Sequence, residues 1–302
     1  MIKQNHSPFR YPGGKFYARK IILECIPEHE KYCEPFAGGG SIFFSKDKVK
    51  YNILNDLDKE LINCYRQIRD NVEDLINLLD GIEATKELHH YYKNEYTPQN
   101  DLERAFRWFY LNRTSYSGIM KINNCYWGYG IKYSMRPENW PNHLRTVSQR
   151  LKNVELYNYD FEELLNKIEK GFFLFIDPPY YNARQNDFYQ AAFTREDHFR
   201  LSEFLRKNNN KFTFLLTYDN SSEVRELYSW CHSITDKEWN YTLFRTDDQK
   251  NGKKLEDGHV GKRYKGREVF ITNYDPNSIK GLPEFKFNKK QLAFGFSEEQ
   301  IA

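Results

Sequence analysis

From Gly171 to Ile176 the chain reads GFFLFI, six positions with no polar alternation. A strand of this composition is apolar on both faces, so it predicts the interior of a parallel sheet covered on both sides. Pro178 and Pro179 stop it, because proline brings no backbone donor and holds the residue before it extended. Further strand-like runs occur at the start of Lys31 to Ser41 (KYCEPFAGGGS), at Tyr51 to Asp56, at Leu156 to Phe161, at Lys211 to Tyr218 and at Glu268 to Asn273. Apolar residues recur at helical spacing over Leu61 to Leu79 and Leu102 to Leu111. Further helices are expected over Phe16 to Cys25 and from a Thr194 cap to Lys207. Strand, glycine-rich turn, helix, and second strand ending in an acid make a nucleotide-binding βαβ opening, and the fold class is α/β. The chain contains no internal repeat.

At the carboxyl edge of the Phe172–Ile176 strand stand Asp177, Pro178, Pro179 and Tyr180, where open α/β sheets bind ligands. A carboxylate, a proline carbonyl and an aromatic face suit the exocyclic amine of a nucleobase. The two oxygens can each accept one amine hydrogen, turning the nitrogen lone pair toward an electrophile, while the ring stacks on the base. Such a base has to be flipped out or already unpaired. The alternative is an ordinary Asp-Pro turn. Gly38, Gly39 and Gly40 let backbone approach a ligand, but no lysine follows them and their spacing is not GxGxxG. A phosphate-cradling P-loop is thereby disfavoured. Asp56 is placed for ribose hydroxyls, or for capping the helix near Lys59. In FRYPGGK, Lys15 is a candidate for the carboxylate of an amino-acid-like cofactor and Tyr11 for packing on it; a plain turn before a helix is the other reading. Asp160 is a candidate acceptor for a cofactor adenine amine, or again a cap.

Composition narrows the picture. Net charge is only +3 over 302 residues, yet from Arg104 to Lys152 nine basic residues face a single acid, Glu138. Aromatic residues, 17% of the chain, are interleaved there, including Trp108, Tyr116, Tyr126 and Trp127. That is a footprint for phosphate contact with stacking surfaces, or a solvated basic face over an aromatic core. Five scattered cysteines and eight histidines without ligand spacing imply neither a disulfide framework nor a metal. The polar amino terminus and the lack of a long apolar run predict a soluble cytoplasmic protein with no membrane association.

FRYPGGK, then EPFAGGGS, then NRTSYSG, then DPPYY, in that order over about Ser7 to Tyr274, resembles the Dam-like, alpha-class adenine-N6-specific DNA methyltransferases. The resemblance implies a Rossmann-like S-adenosylmethionine-dependent methyltransferase sheet with an inserted, mainly helical target-recognition domain. It implies S-adenosylmethionine as cofactor, S-adenosylhomocysteine as product, and double-stranded DNA as partner. The catalytic domain is expected over 1–57 and 155–276, the recognition domain over 58–154 and a tail over 277–302. By motif position, Tyr11, Gly14, Lys15, Glu34, Pro35, Phe36, Gly38, Ser41, Asp56, Asp160, Phe161 and Asp177 line the cofactor. Asp177, Pro178, Pro179 and Tyr180 form the catalytic pocket. Arg113, Tyr116, Ser117, Lys121, Asn123, Tyr126, Lys132 and Arg136 meet DNA, with Tyr116 as a wedge. Two positions depart from the Dam pattern: Ser117 replaces Asn, and Lys121 replaces an Arg that reads guanine. Lysine lacks the two-pronged fork, which argues against a GATC site. The lysine-rich stretch Trp239 to Arg267 is either solvated or ordered by DNA. A monomer, either paired with a cognate restriction endonuclease or acting as an orphan or phage methylase, completes the expectation. Rival readings are an RNA or protein-amide methyltransferase and a non-catalytic DNA-binding module.

Overall fold

The computed structural model describes residues 7–132, 134–182, 193–240 and 265–278. Seven strands form one sheet: β1 (Lys31–Glu34), β2 (Tyr51–Asn55), β3 (Val154–Tyr157), β4 (Phe173–Ile176), β5 (Thr213–Asp219), β6 (Ser233–Asn240) and β7 (Lys265–Thr272). Their order is β3-β2-β1-β4-β5-β7-β6, parallel throughout except that β7 runs antiparallel to both β5 and β6. Chain order runs outward from β1 through β2 to β3 in one direction and from β4 to β5 in the other, beyond which β7 stands between β5 and β6. The loops leaving these two neighbours therefore open the crevice where such sheets bind ligands.

The β4 strand is buried at every residue, as its unbroken apolar run predicts. Phe173 and Phe175 enter one apolar layer, Leu174 and Ile176 the other. The second layer is closed by α8 (Phe161–Lys167), α9 (Arg195–Lys207) and α10 (Ser222–Leu227). The first is closed by α1 (Arg19–Leu23), α2 (Ser41–Ser45), α3 (Lys59–Asp70), α4 (Val72–Leu79), α6 (Asp101–Thr114) and α7 (Trp140–Leu151), with α5 (Lys86–Asn94) outside them. Residues of the 58–154 stretch, such as Leu61, Phe109, Trp140 and Leu144, share one apolar cluster with sheet residues Tyr32, Leu54, Phe173 and Phe175.

Several element bounds differ from the pattern. The Phe16–Cys25 helix shortens to α1, since Phe16 to Ala18 form a turn. The Leu61–Leu79 periodicity is two helices broken at Asn71, whose φ of −132° and ψ of 40° are not helical. The strand placed over Leu156 to Phe161 is β3, ending at Tyr157. The last expected strand begins three residues earlier, as β7. Strand β6 and helices α5 and α7 are not among the elements singled out from the sequence, although α7 places Trp140, Leu144, Val147 and Leu151 at helical spacing and buries all four. Thr194 caps α9 with a reciprocal capping box to Asp197. Most of the lysine-rich stretch, at 241–264, and the tail beyond 278 lie outside the described residues.

Candidate active site

The turn after β1 is built around Gly38. Its φ is +47°, and a Cβ there would come within 2.8 Å of the Tyr11 ring, so both backbone and neighbour demand glycine. Asp56, at the end of β2, accepts from Gly38 N at 2.8 Å through Oδ2 and from Asp58 N at 2.9 Å through Oδ1. Burial pushes its pKa up to about 6, against the pull of those N–H donors. The cap of α3 is Asp58, which accepts from Glu60 N and Leu61 N. Asp56 is thereby left to the glycine turn and the cleft. Glu34 accepts from Tyr32 Oη at 2.6 Å and Phe43 N at 2.7 Å. Desolvation raises its pKa to about 8, and the nearby Asp177 charge adds to the shift.

Across the crevice, Asp177 follows β4. Its Oδ1 pairs with Lys15 Nζ at 2.8 Å and accepts from Thr217 Oγ1 at 2.7 Å. Lys15 is only 4% exposed, lies 3.8 Å from Glu268 Oε1 on β7, and stands 4.8 Å from the centre of the Tyr180 ring. Asp219, at the end of β5, accepts from Tyr181 N at 2.8 Å and from Asn182 Nδ2 at 3.2 Å, which fixes the chain just past the two prolines. Its position at a strand end fits pocket support and an ordinary turn alike; its bonds are those of a support.

One cleft, with about 1140 Å³ of empty space counted out to solvent, is lined by Tyr11, Gly14, Lys15, Glu34, Phe36, Gly38, Ser41, Asp56, Asp177 and Pro179 among the residues singled out from sequence. Pro35, Asp160, Phe161, Pro178 and Tyr180 are not part of its wall. Pro35 O accepts from Asn55 Nδ2 at 2.9 Å. Asp160 caps α8 through Glu162 N at 3.0 Å and takes Arg200 on both oxygens at 3.0 and 2.8 Å, which occupies it with structural partners. Phe161 is buried and stacks behind the wall, 5.5 Å from the ring of Phe36 and 5.8 Å from that of Phe193. Phe36 and Phe193 themselves face the cleft.

The segment expected to meet DNA leaves α6 and closes on itself: Ser115 bridges Trp127, Tyr116 N donates to Tyr126 O at 2.7 Å and Gly128 N to Thr114 O at 2.9 Å. Tyr116 and Tyr126 are exposed on this turn, as are Asn123, Lys132 and Arg136. Lys121 and Ser117 are half-buried, and Ser117 adopts a left-handed φ of 53°. Arg113 is 7% exposed, and no carboxylate pairs with it among the described residues. Desolvation, with Arg10 nearby, lowers its pKa to about 10. The basic footprint is smaller than a charge count suggests. Arg104 pairs with Glu60 and Asp101, Arg145 pairs with Glu73, and Arg107 donates to the Tyr92 and Lys93 carbonyls. Glu60, Glu73 and Asp101 precede the counted window, so a count along the chain could not include them.

Sequence reasoning missed Thr217, Glu268, Asn55 and Asn112. Polar residues inside the apolar runs of β5 and β7 were the available signal for Thr217 and Glu268. Asn55 donates to Pro35 O and Tyr159 O and accepts from Tyr159 N, joining the turns after β1 and β3.

A doubly covered sheet in this strand order, with a glycine turn after β1 and an acid-Pro-Pro-aromatic edge after β4, defines an α/β methyltransferase. Residues 11–243 match the D12 class N6 adenine-specific DNA methyltransferases, and the chain belongs to that family. DNA is accordingly its substrate, a methyl donor is required, and the non-catalytic and protein-amide readings fall away. Among relatives, the chain is 28% identical over 291 residues to type II methyltransferase M1.LlaDCHI of Lactococcus lactis subsp. cremoris, covering 90% of this chain and 97% of that one. It is 26% identical over 273 residues to type II methyltransferase M.CviBI of Paramecium bursaria Chlorella virus NC1A, covering 88% and 98%. It is 25% identical over 242 residues to the DNA adenine methylase of Salmonella typhi, covering 75% and 85%.

Proposed function

We propose that the enzyme uses S-adenosylmethionine to methylate a flipped adenine within a short duplex site. The observation that carries this reading is the state of Asp177. Its Oδ1 is held by Lys15 and Thr217, while Oδ2 takes no hydrogen bond among the described residues and the side chain lines the cleft. A carboxylate fixed at one oxygen and open at the other is a preorganised acceptor for one amine hydrogen. The Pro178 carbonyl as second acceptor and Tyr180 as stacking face complete the proposal; both lie outside the cleft wall but flank its lining residues Asp177 and Pro179 along the chain. Lys15 orients the carboxylate, so Asp177 acts as acceptor first. After transfer the amine gives up one proton, to Asp177 or to water.

The cleft fits a nucleoside cofactor. Each Asp56 oxygen already holding an N–H keeps a second lone pair for a ribose hydroxyl. Tyr11, Phe36 and Gly38 supply apolar and backbone surface. Gly14 and Ser41 lie side by side, a Cβ on Gly14 reaching 3.4 Å from Ser41 Oγ. When bound, S-adenosylmethionine supplies a methyl group on a positively charged sulfur, which keeps the electron pair and leaves as a thioether. Phosphate contacts are assigned to Arg113, Lys132 and Arg136, stacking to Tyr116 and Tyr126, and guanine contact to Lys121, with Ser117 and Asn123 on the same turn. Two of the relatives are named type II methyltransferases, which supports site-specific modification opposite a cognate restriction endonuclease. No helix among the described residues is long and apolar enough to cross a membrane, and a cytoplasmic monomer acting on one strand at a time is the proposed form.

Expression in a host free of adenine methylation, followed by mapping of modified adenines, tests the reading. One short motif modified by the wild type is the expected result. For Asp177→Ala the transfer rate should drop at least about 100-fold with cofactor affinity nearly kept. Methylation at a normal rate by that variant would overturn the assignment.

A further inference from the structure

Asn112 is fully buried in the last turn of α6, and its side-chain amide is committed to residues far away in sequence. Oδ1 accepts from Arg10 N at 3.0 Å; Nδ2 donates to Arg10 O at 2.7 Å and to Gly118 O at 3.3 Å. One amide thus pairs with both backbone groups of residue 10, as a neighbouring strand would, and also grips the recognition turn. The contact is closed from the other side, since a Cβ on Gly118, whose φ is +71°, would lie 2.2 Å from Arg10 O. Arg10 Nη1 adds a bond to Ser115 O at 3.1 Å.

The next five residues carry this clamp to the chemistry. Tyr11 packs over Gly38 and Gly39, Gly14 N donates to Tyr11 O at 3.1 Å, and Lys15 ends the turn with its Nζ 2.8 Å from Asp177. A short stretch of chain therefore connects the DNA-reading turn to the carboxylate that receives the adenine amine. We infer that Asn112 is a positioning residue that couples seating of the 115–127 turn to placement of Lys15, and through it of Asp177. This rests on the proposed role of Asp177. Asn112 itself touches no reacting atom.

The test is a double-mutant cycle on single-turnover methylation of the wild-type site, using tritiated donor. Asn112→Ala lowers the transfer rate by roughly 100-fold, as a misplacement of about 1 Å at a catalytic group does, while cofactor and DNA dissociation constants change by less than about threefold. In a Lys15→Met background the same substitution produces almost no further loss, because the group it positions is gone. Losses that multiply in the double variant, or a weakening of both ligands in step with the rate, would make Asn112 a general stability residue and overturn the inference. Where Asn112→Ala does not fold, Asn112→Asp keeps the volume. Its carboxylate faces the Arg10 and Gly118 carbonyls and regains a donor only when protonated, so its rate relative to wild type rises as pH falls. A flat ratio overturns the inference. Wild-type protein that transfers nothing to DNA fails the proposed function itself, a distinct outcome from an active wild type with multiplicative losses.

Discussion

At the scale of single residues, the site is a set of carboxylates whose surroundings set different duties. Asp177 faces a lysine and a threonine hydroxyl; Asp56 and Glu34 face backbone N–H groups and apolar walls. In the cofactor role proposed for it, Asp56, raised to about 6 by burial, accepts ribose hydroxyls best as an anion. Cofactor affinity should therefore rise as pH increases from 5 to 7, by at most about tenfold per unit below 6, and level off above. Calorimetric titration across that range checks it, with Asp56→Asn expected to give weaker binding and no such slope. Glu34 offers a second measurement. In the folded chain it keeps its proton to about 8, whereas an unfolded carboxyl loses it near the ordinary value of 4.5. The fold consequently binds more protons in that window, and its stability falls as pH climbs from 4.5 to 8. Glu34→Gln removes this dependence while keeping an oxygen for Tyr32 Oη and Phe43 N. Its stability advantage over wild type should widen by up to roughly 1 kcal/mol per pH unit in denaturant melts. Lys46, lowered to about 7 by burial, has the opposite dependence, and because the Glu34 charge raises it, the substitution lowers it further; the comparison is therefore read below pH 7, where Lys46 is charged.

At the scale of elements, the 115–127 turn carries a conformational cost at Ser117, where the Dam-like pattern it resembles has Asn. Ser117 sits at φ 53°, a region that serine enters less readily than asparagine or glycine. Ser117→Asn should therefore stabilise the protein by up to about 1 kcal/mol in thermal melts, while any change in the methylated motif would show that the hydroxyl reads DNA. Legibility follows the same local logic. The glycine turn, the β4 edge and the capped α9 were readable because each is written in consecutive residues. The Asn112 clamp and the Asn55 staple were not, since their partners stand about a hundred residues away or on other turns. Asp160 shows the converse: a strand-ending acid fits a ligand acceptor and a helix cap equally well, and only Arg200, forty residues on, reveals how its oxygens are spent. The helix expected over Phe16–Cys25 shrank because Pro12-Gly13-Gly14 extends its turn through Ala18.

At the scale of the whole molecule, charge and architecture have to be read together. The positive segment between Arg104 and Lys152 is partly neutralised by acids of α3, α4 and the start of α6, and Arg136 itself lies 3.7 Å from Glu138; in the proposed function Lys132 and Arg136, both exposed, and the buried Arg113 are the candidates for phosphate contact. Doubly substituting Lys132 and Arg136 with Gln should reduce the slope of log binding constant against log salt by nearly 2, each phosphate contact accounting for about 0.9. Filter binding across a salt series measures this directly; an unchanged slope would place the DNA path elsewhere.

The common core of α3, α6, α7 and the sheet sets a rule for engineering. A chimera that exchanges all of 58–154 with a family member strips the lid from one side of the sheet and should precipitate. Grafting only the short excursion between Thr114 and Gly128, whose ends already meet across the Ser115–Trp127 bridge, leaves that lid intact. New sequence preference in this enzyme is thus to be sought by exchanging about a dozen residues, with Gly118 retained so that the incoming turn can still dock against residue 10.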